Sequence, residues 1–158
     1  MGPMRRFTSR YTNRVDKKGR VSVPATYRAV LEEGGAGLVY LKPNQTDGAI
    51  DGLTEAFMDD IQQRIDALDI GSEDRTALED AYFAESVDLR FDPEGRIILP
   101  RELTDFAGIG DTALFVGLGT RFQIWNPEAY GARRADRAAH AKSLTLSKPG
   151  TRSREAAQ

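Results

Sequence analysis

The stretch DKKGRVSVP at residues 16–24 recurs as DPEGRIILP at residues 92–100, and this doubled pattern decides the fold. Both copies read Asp-x-x-Gly-Arg, followed by apolar-x-apolar-Pro. The aspartate carboxylate is suited to accept backbone N–H groups of a tight turn, and the glycine supplies the left-handed residue that the turn requires. An apolar residue precedes each turn and alternating apolar residues follow it. The pattern therefore predicts two β-hairpins with loops of three to five residues.

The segments around the two turns follow one common order. Each half has an alternating strand before the turn, a proline that ends the strand after it, a short helix, a buried strand and a returning strand. This order predicts a tandem repeat joined by two helices. The predicted domains are a first repeat at 7–57, a helical connector at 58–83, a second repeat at 84–130, and a C-terminal helix with a flexible tail at 131–158.

Each repeat is too small to fold alone. A unit of roughly 45 residues buries too little apolar surface for independent stability, so the two copies must share one core. The sequence therefore predicts an α+β, β-dominated fold, in which two repeats interleave their hairpins as a pseudo-symmetric pair around a barrel-like core with peripheral helices. The predicted inward-facing residues are Val15, Val21, Val23, Leu38, Tyr40, Phe91, Ile97, Leu99, Leu114, Val116 and Trp125.

Charge is distributed unevenly along the chain, although the net charge is only -2. The first 28 residues contain eight Lys and Arg residues and a single acidic one, Asp16. Residues 47–94 are acidic, and the C-terminal part is basic again. Such segregation is typical of a polyanion-binding face on a chain that is kept soluble elsewhere, and chance clustering on a solvated surface is the alternative.

Several classes of function are disfavoured by composition and motifs. The absence of cysteine excludes disulfides and thiol catalysis. The single histidine, His140, has no nucleophile motif beside it, and no phosphate-binding loop occurs, so we expect no enzyme, no metal, no cofactor and no small-molecule substrate. No apolar run approaches the roughly 18 residues of a membrane span, and the N-terminus lacks a signal-peptide core. We therefore expect a cytoplasmic protein with no membrane partner.

The doubled signature Asp-x-x-Gly-Arg-[Val/Ile]-x-[Val/Leu]-Pro resembles the hairpin of AbrB-type (SpoVT-AbrB) DNA-binding domains. Two copies at this distance, ending in the sequence FQIW at residues 122–125, resemble the MraZ family of transcriptional regulators over roughly residues 7–142. The resemblance implies a swapped-hairpin β-barrel whose chains assemble into ring-shaped homo-oligomers. It also implies association with the nucleoid and binding to double-stranded DNA, at short, G-rich direct repeats in the promoter of the bacterial division and cell-wall gene cluster.

The basic residues near the first turn are the candidate DNA contacts. A two-stranded ribbon fits the major groove, where arginine pairs with guanine O6 and N7, whereas lysines at a turn tip meet phosphates. The predicted DNA-binding residues are Arg10, Arg14, Lys17, Lys18, Arg20 and Arg96, and the predicted turn-forming residues are Asp16, Gly19, Asp92 and Gly95. The alternative for both motif arginines is a structural ion pair with the aspartate of the same turn, worth at most about 1 kcal/mol if exposed.

A second function remains open at this point. An AbrB-like antitoxin or a protein-interaction scaffold would use the basic hairpin to dock an acidic partner. An antitoxin of this type usually carries one copy of the motif and a long disordered tail. Two copies with a short tail favour the regulator.

Overall fold

A computed structural model describes residues 5–33 and 37–146 of the chain. Within these residues the first half forms β1 (Arg10–Arg14), β2 (Arg20–Ser22), α1 (Ala25–Glu33), β3 (Leu38–Asn44) and β4 (Ala49–Leu53). Between the halves lie α2 (Glu55–Asp66), α3 (Glu73–Glu79) and a π-helical turn, Asp80–Ala84. The second half forms β5 (Val87–Arg90), β6 (Arg96–Ile98), α4 (Arg101–Ala107), β7 (Thr112–Gly117), β8 (Phe122–Trp125) and α5 (Pro127–Lys142).

The strands of the two halves pair with one another. Six of them form an antiparallel sheet in the order β1-β7-β8-β4-β3-β5, and β2 pairs with β6 in a separate two-stranded ribbon. The strand before each turn therefore pairs with the hairpin of the opposite half, β1 with β7 and β5 with β3. The central pair, β4 and β8, also joins the two halves. The sheet is symmetric with respect to the two halves. From one edge the strands are β1, β7 and β8, and from the other edge they are the equivalent strands β5, β3 and β4.

The expectation of an α+β, strand-rich fold is confirmed, but a closed barrel is not found. Among the residues that the structure describes, β1 and β5 are the two edges of the six-stranded sheet. The strands after the two turns do not bridge these edges, because each is only three residues long and pairs with the other. Pro24 and Pro100 end them, since proline has no N–H to extend a ladder.

One hydrophobic core draws on both halves of the chain. At its centre the ring of Phe122 packs against three other aromatic rings, with centroid distances of 5.1 Å to Phe7, 5.2 Å to Tyr27 and 6.0 Å to Phe115. The Tyr27 side chain is fully buried, and its hydroxyl donates a hydrogen bond of 2.7 Å to the carbonyl of Ser9. This bond satisfies a polar group that would otherwise be costly to bury.

Most of the predicted inward-facing residues are buried, but two strands face the core with other residues. Tyr40, Phe91 and Leu114 are only half-buried. The core cluster takes Val39 and Leu41 from β3, and Ala113 and Phe115 from β7. Because side chains alternate along a strand, an error of one residue exchanges the two faces. Leu38 and Val116 are buried on the opposite faces, so the sequence shows a continuous apolar run without a clear alternation.

The helix starts follow their capping residues. Thr54 accepts a hydrogen bond from the Phe57 N–H at the start of α2, and Ser72 accepts one from the Arg75 N–H at the start of α3.

Two predicted features lie outside the described residues. One is the end of the first helix, predicted at residues 34–35, and the other is the tail from residue 147 onward. By its contacts the chain divides into two compact units, residues 1–127 and residues 128–158, and the second unit contains most of α5.

Substitution of Gly52 by alanine is expected to destabilise the fold by about 1–3 kcal/mol, the usual cost of overpacking a core. A Cβ atom at this buried position of β4 would lie 2.3 Å from Cζ of Phe122, whose ring has no space to retreat. Urea unfolding of the variant measures this loss. Gly110→Ala is the control, since a Cβ at Gly110 meets nothing within 4 Å, and it should leave the midpoint nearly unchanged. Equal midpoints for the two variants would contradict the prediction.

Candidate nucleic-acid interface

The first Asp-x-x-Gly-Arg motif is a compact turn organised by Asp16. The backbone N–H of Asp16 donates to the carbonyl of Arg20 at 3.0 Å, and the N–H of Gly19 donates to the carbonyl of Asp16 at 3.0 Å. The Asp16 carboxylate accepts from the N–H groups of Lys18 and Arg20, both at 2.9 Å. Gly19 has φ +85°, a left-handed conformation that residues with a side chain rarely adopt.

The second motif repeats this geometry. The N–H of Asp92 donates to the carbonyl of Arg96 at 2.9 Å, and the carboxylate of Asp92 accepts from the N–H groups of Glu94 and Arg96 at 2.9 Å. Gly95 takes the left-handed position with φ +78°. The two turns are therefore equivalent in backbone structure, although their tips carry different side chains.

Each motif arginine is held by the aspartate of its own turn. Nε of Arg20 lies 2.6 Å from Oδ2 of Asp16, and Nε of Arg96 lies 2.9 Å from Oδ2 of Asp92. Nη2 of Arg96 also lies 3.3 Å from Oε2 of Glu94. The ion pair considered as the structural alternative is therefore present in both turns. A guanidinium has five N–H donors, so an arginine anchored through Nε has its terminal nitrogens in a defined plane and retains donors for a second acceptor.

The two arginines come together on the β2–β6 ribbon. In its register Arg20 is opposite Ile98 and Ser22 is opposite Arg96, while Val21 and Ile97 form the buried pair between them. These four flanking residues share the outer face of the ribbon because side chains alternate along a strand. The Asp92 hydrogen bond, above all, raises the pKa of Arg96, and the carboxylates of Glu94 and Asp16 contribute to this shift.

The ribbon differs from the predicted hairpins. The two arms of each turn do not form a ladder of their own. In the first turn they are joined by a single bridge between Val15 and Val21. The ribbon instead takes one strand from each half. The apolar-x-apolar-Pro pattern after both turns predicts two short strands, but it is equally compatible with pairing within a hairpin and with pairing between hairpins.

The remaining candidate residues lie around the first turn and on β1. Lys17 and Lys18 are exposed at the turn tip, and no ion pair of theirs is found within the part of the chain that the structure describes. Arg10 and Arg14 occupy exposed alternate positions of β1, as the spacing predicts. They belong to the six-stranded sheet, whereas Arg20 belongs to the ribbon, so one strand does not carry all three arginines.

Other kinds of site are not found in the described ranges. No group of three or more His, Cys, Asp or Glu side chains is placed to hold a metal ion in residues 5–33 and 37–146. No helix in these ranges combines the length and the apolar character needed to cross a membrane.

Stability is expected to fall when the pH drops below about 4, because the ionised turn aspartates accept their hydrogen bonds more strongly than the protonated acids do. The bond from the Arg20 backbone N–H chiefly lowers the pKa of Asp16, and the bond from the Arg96 backbone N–H chiefly lowers that of Asp92. A carboxyl group with a depressed folded-state pKa stabilises the protein above its unfolded-state pKa, and this contribution is lost as the pH falls through the folded-state pKa.

Urea unfolding between pH 7 and pH 3 measures this dependence. The double variant Asp16→Asn with Asp92→Asn should lose less stability over the acid range than the wild-type chain. Asp59→Asn, a change of an exposed aspartate on α2, should retain the wild-type slope. An unchanged slope in the double variant would show that the turn aspartates do not govern the acid limb.

Comparisons with known proteins place the chain in a family. Residues 82–146 match the family model MraZ, described as an MraZ protein of antitoxin-like type. A relative from Parvibaculum lavamentivorans is 45% identical over 130 residues, which cover 82% of this chain and 81% of the relative. A relative from Rickettsia rickettsii is 45% identical over 142 residues, which cover 89% and 95%. Both are named transcriptional regulator MraZ, and neither name denotes an enzyme. With this identity over most of its length, the chain belongs to the MraZ family.

Proposed function

We propose that the protein is a transcriptional regulator that reads double-stranded promoter DNA with the outer face of the β2–β6 ribbon. The observation that carries the proposal is the placement of Arg20 and Arg96, one from each half, diagonally across this face, where both are half-buried beside exposed Ser22 and Ile98. Lys17 and Lys18 extend the positive charge onto the adjoining turn. The relatives from Parvibaculum and Rickettsia, each named a transcriptional regulator, support the same function.

The arginines would read bases and the lysines would hold the backbone. A two-stranded ribbon is narrow enough to enter the major groove, where an arginine pairs with O6 and N7 of guanine. Asp16 orients the Arg20 guanidinium through Nε, which lowers the entropy lost when the terminal nitrogens bind a base. Lys17 and Lys18 at the tip suit phosphate contacts, which add affinity and salt dependence without sequence preference. Arg10 and Arg14 on β1 would add further phosphate contacts.

The preferred DNA in this proposal is a set of short, G-rich direct repeats in the promoter of the division and cell-wall gene cluster. One ribbon covers only a few base pairs and binds weakly on its own. A ring-shaped homo-oligomer would present several ribbons at fixed spacing, so that repeated boxes bind by avidity. A groove of about 370 Å³, in which Val87, Leu103 and Phe106 lie next to Glu85 and Glu102, supports an assembly of this kind by offering surface for a second copy. DNA carrying one box should then bind much more weakly than DNA carrying several.

The fold proposed for this function is a pair of AbrB-like repeats, at 7–57 and 84–130, that exchange hairpins. The pairing of β1 with β7 and of β5 with β3 supports this exchange. Exchange makes each half necessary for the ribbon, because the strand that pairs with β2 there is β6 of the other half.

Salt-titrated binding to promoter DNA and to random DNA of equal length tests the function. Fluorescence anisotropy with labelled fragments should give tighter binding to the promoter at every salt concentration, together with a negative slope of log K against log salt. A slope of the same size with equal affinity for both fragments would indicate charge attraction alone and would contradict sequence reading.

The second candidate is an antitoxin-like protein-interaction role, which the description of the matching family model favours. In this case the basic turn would dock an acidic protein, and promoter DNA would have no advantage over random DNA. The same anisotropy titration therefore separates the two functions.

A further inference from the structure

A cleft of about 500 Å³ lies beside the first turn, between its tip and helix α4. Its wall carries both lysines of the turn, the first residue of α4 and two residues of the next helical turn. The side chains that define it are Lys17, Lys18, Arg101, Thr104 and Asp105. Ile98 also lines the cleft and stands on the outer face of the β2–β6 ribbon, so the cleft opens next to the proposed DNA-reading face.

The equivalent place in the other half is filled. Aligning Pro24 with Pro100 makes Arg28 of α1 the counterpart of Thr104. The Arg28 guanidinium lies against the second turn, where a Cβ atom added to Gly95 would be 2.6 Å from its Cζ. Nε of Arg28 donates to the carbonyl of Val23 at 3.2 Å and holds the side chain there. The second turn is thus covered by a cation of the protein itself, whereas the shorter Thr104 leaves the first turn open.

The charges of the two places are also opposite. The tip residues Lys17 and Lys18 of the open side correspond to Pro93 and Glu94 on the filled side. The first residue of the adjoining helix is Arg101 on the open side and alanine on the filled side. The acidic turn therefore has its cation supplied internally, and the basic turn has three cations around an open cleft.

The carboxylates at the open cleft do not neutralise these cations. Asp16 is engaged by Nε of Arg20 at 2.6 Å, and it also accepts two backbone N–H groups of its own turn. Asp105 lines the cleft, and no ion pair joins it to Arg101 among the described residues. An excess of positive charge thus faces a space large enough for an anionic group.

We infer that this cleft binds a phosphate of the DNA backbone and that Arg101, outside the repeat motifs, is one of its binding residues. The inference rests on the proposed DNA-binding function and adds a contact to it. The phosphodiester beside the groove that receives the ribbon would enter between the turn and α4, where Lys17, Lys18 and Arg101 surround it. Because phosphates carry no sequence information, this contact positions the ribbon without choosing the bases.

Arg101→Ala tests the inference, with Arg64→Ala as the charge-matched control. Arg64 is an exposed arginine of α2 that lines neither the cleft nor the ribbon, and its ion pair with Asp60 is of the exposed kind that contributes little. Anisotropy titrations of the full chain are run at several salt concentrations with promoter and random DNA. Loss of one phosphate contact lowers the magnitude of the salt slope by about 0.9, which is about a fivefold loss of affinity at 0.15 M salt. Arg101→Ala should cause this loss on both DNAs, and Arg64→Ala should cause almost none.

A second variant tests the sign of the charge effect. Asp105→Asn removes the remaining carboxylate of the cleft and should tighten binding to both DNAs by a few-fold. Circular dichroism confirms that each variant is folded.

If the wild-type chain binds promoter DNA and Arg101→Ala behaves like Arg64→Ala, the cleft assignment is overturned and the proposed function stands. A loss confined to promoter DNA would make Arg101 a base contact and would also overturn the assignment. If the wild-type chain binds neither DNA, the proposed function itself fails.

Discussion

Arg20→Ala is expected to abolish nuclease protection of the DNA upstream of the protein's own gene while the chain stays folded. A well-placed bidentate arginine–guanine contact discriminates by about 1–3 kcal/mol, which corresponds to roughly a 5- to 150-fold loss of affinity at each ribbon. An assembly that uses several ribbons multiplies this loss. Footprinting over a range of protein concentrations measures protection, and circular dichroism with size-exclusion chromatography measures folding and assembly.

Arg96→Ala is the comparison variant for this prediction, because each of the two arginines stabilises its own turn and the proposal places both on the DNA-reading face. This variant removes the equivalent ion pair, which in the second turn lies beside Glu94. Both variants lose one turn ion pair, so a difference in DNA protection between them measures how unequally the two arginines contribute to DNA binding. We expect the larger loss for Arg20. Arg20→Lys should also fail to restore protection, since a lysine cannot make the bidentate contact. Unchanged protection with Arg20→Ala would remove Arg20 from the site.

Phe122→Ala is expected to lower the free energy of unfolding by about 3–5 kcal/mol, a large part of the stability of a domain of this size. The Phe122 ring is fully buried and packs against Phe7, Tyr27 and Phe115, which come from both halves of the chain. Its removal leaves a cavity that the aromatic neighbours cannot close without leaving their own positions. Urea unfolding at neutral pH gives the loss directly.

Phe106→Ala is the control for Phe122, since the same side chain is removed from a position that is 36% exposed. Its cost should be well below that of Phe122→Ala. Comparable losses would mean that the shared aromatic cluster is not the centre of the core.

DNA binding by folded Phe106→Ala also tests the groove lined by Val87, Leu103 and Phe106. A weaker assembly would lower the affinity for DNA with several boxes more than the affinity for DNA with one box.

Local structure was largely predictable because its determinants are close together in the chain. The doubled Asp-x-x-Gly-Arg motif predicted turns at the right places, since the carboxylate and the N–H groups that it accepts lie within four residues. Thr54 and Ser72 start α2 and α3 in the same way, through hydrogen bonds to N–H groups three residues ahead. The facing of β3 and β7 was not predictable, because both faces of these strands carry buried or half-buried apolar side chains and the apolar runs lack alternation.

The candidate site was predictable residue by residue but not in its arrangement. Charge clustering pointed to Lys17, Lys18 and Arg20, and the repeat pointed to Arg96 as the counterpart of Arg20. No local pattern could indicate that β2 pairs with β6 and not with the other arm of its own hairpin. Both pairings expose the same side chains of β2, and they differ only in the strand that supplies the backbone partners. The different effects of Arg28 and Thr104 on the two turns were likewise not predictable from the sequence, since they depend on which turn each helix covers.

The sequence by itself determined two turns, the helix starts and a requirement that two small halves share one core. These features follow from hydrogen bonds and steric limits that act over a few residues. The sequence also predicted that the two halves interleave. Only the tertiary structure decided which strands pair across the halves, that the two motif arginines meet on one ribbon, and that one turn is covered while the other faces an open cleft. Such choices depend on the free energy of contacts between residues far apart in the chain, which a local pattern does not contain.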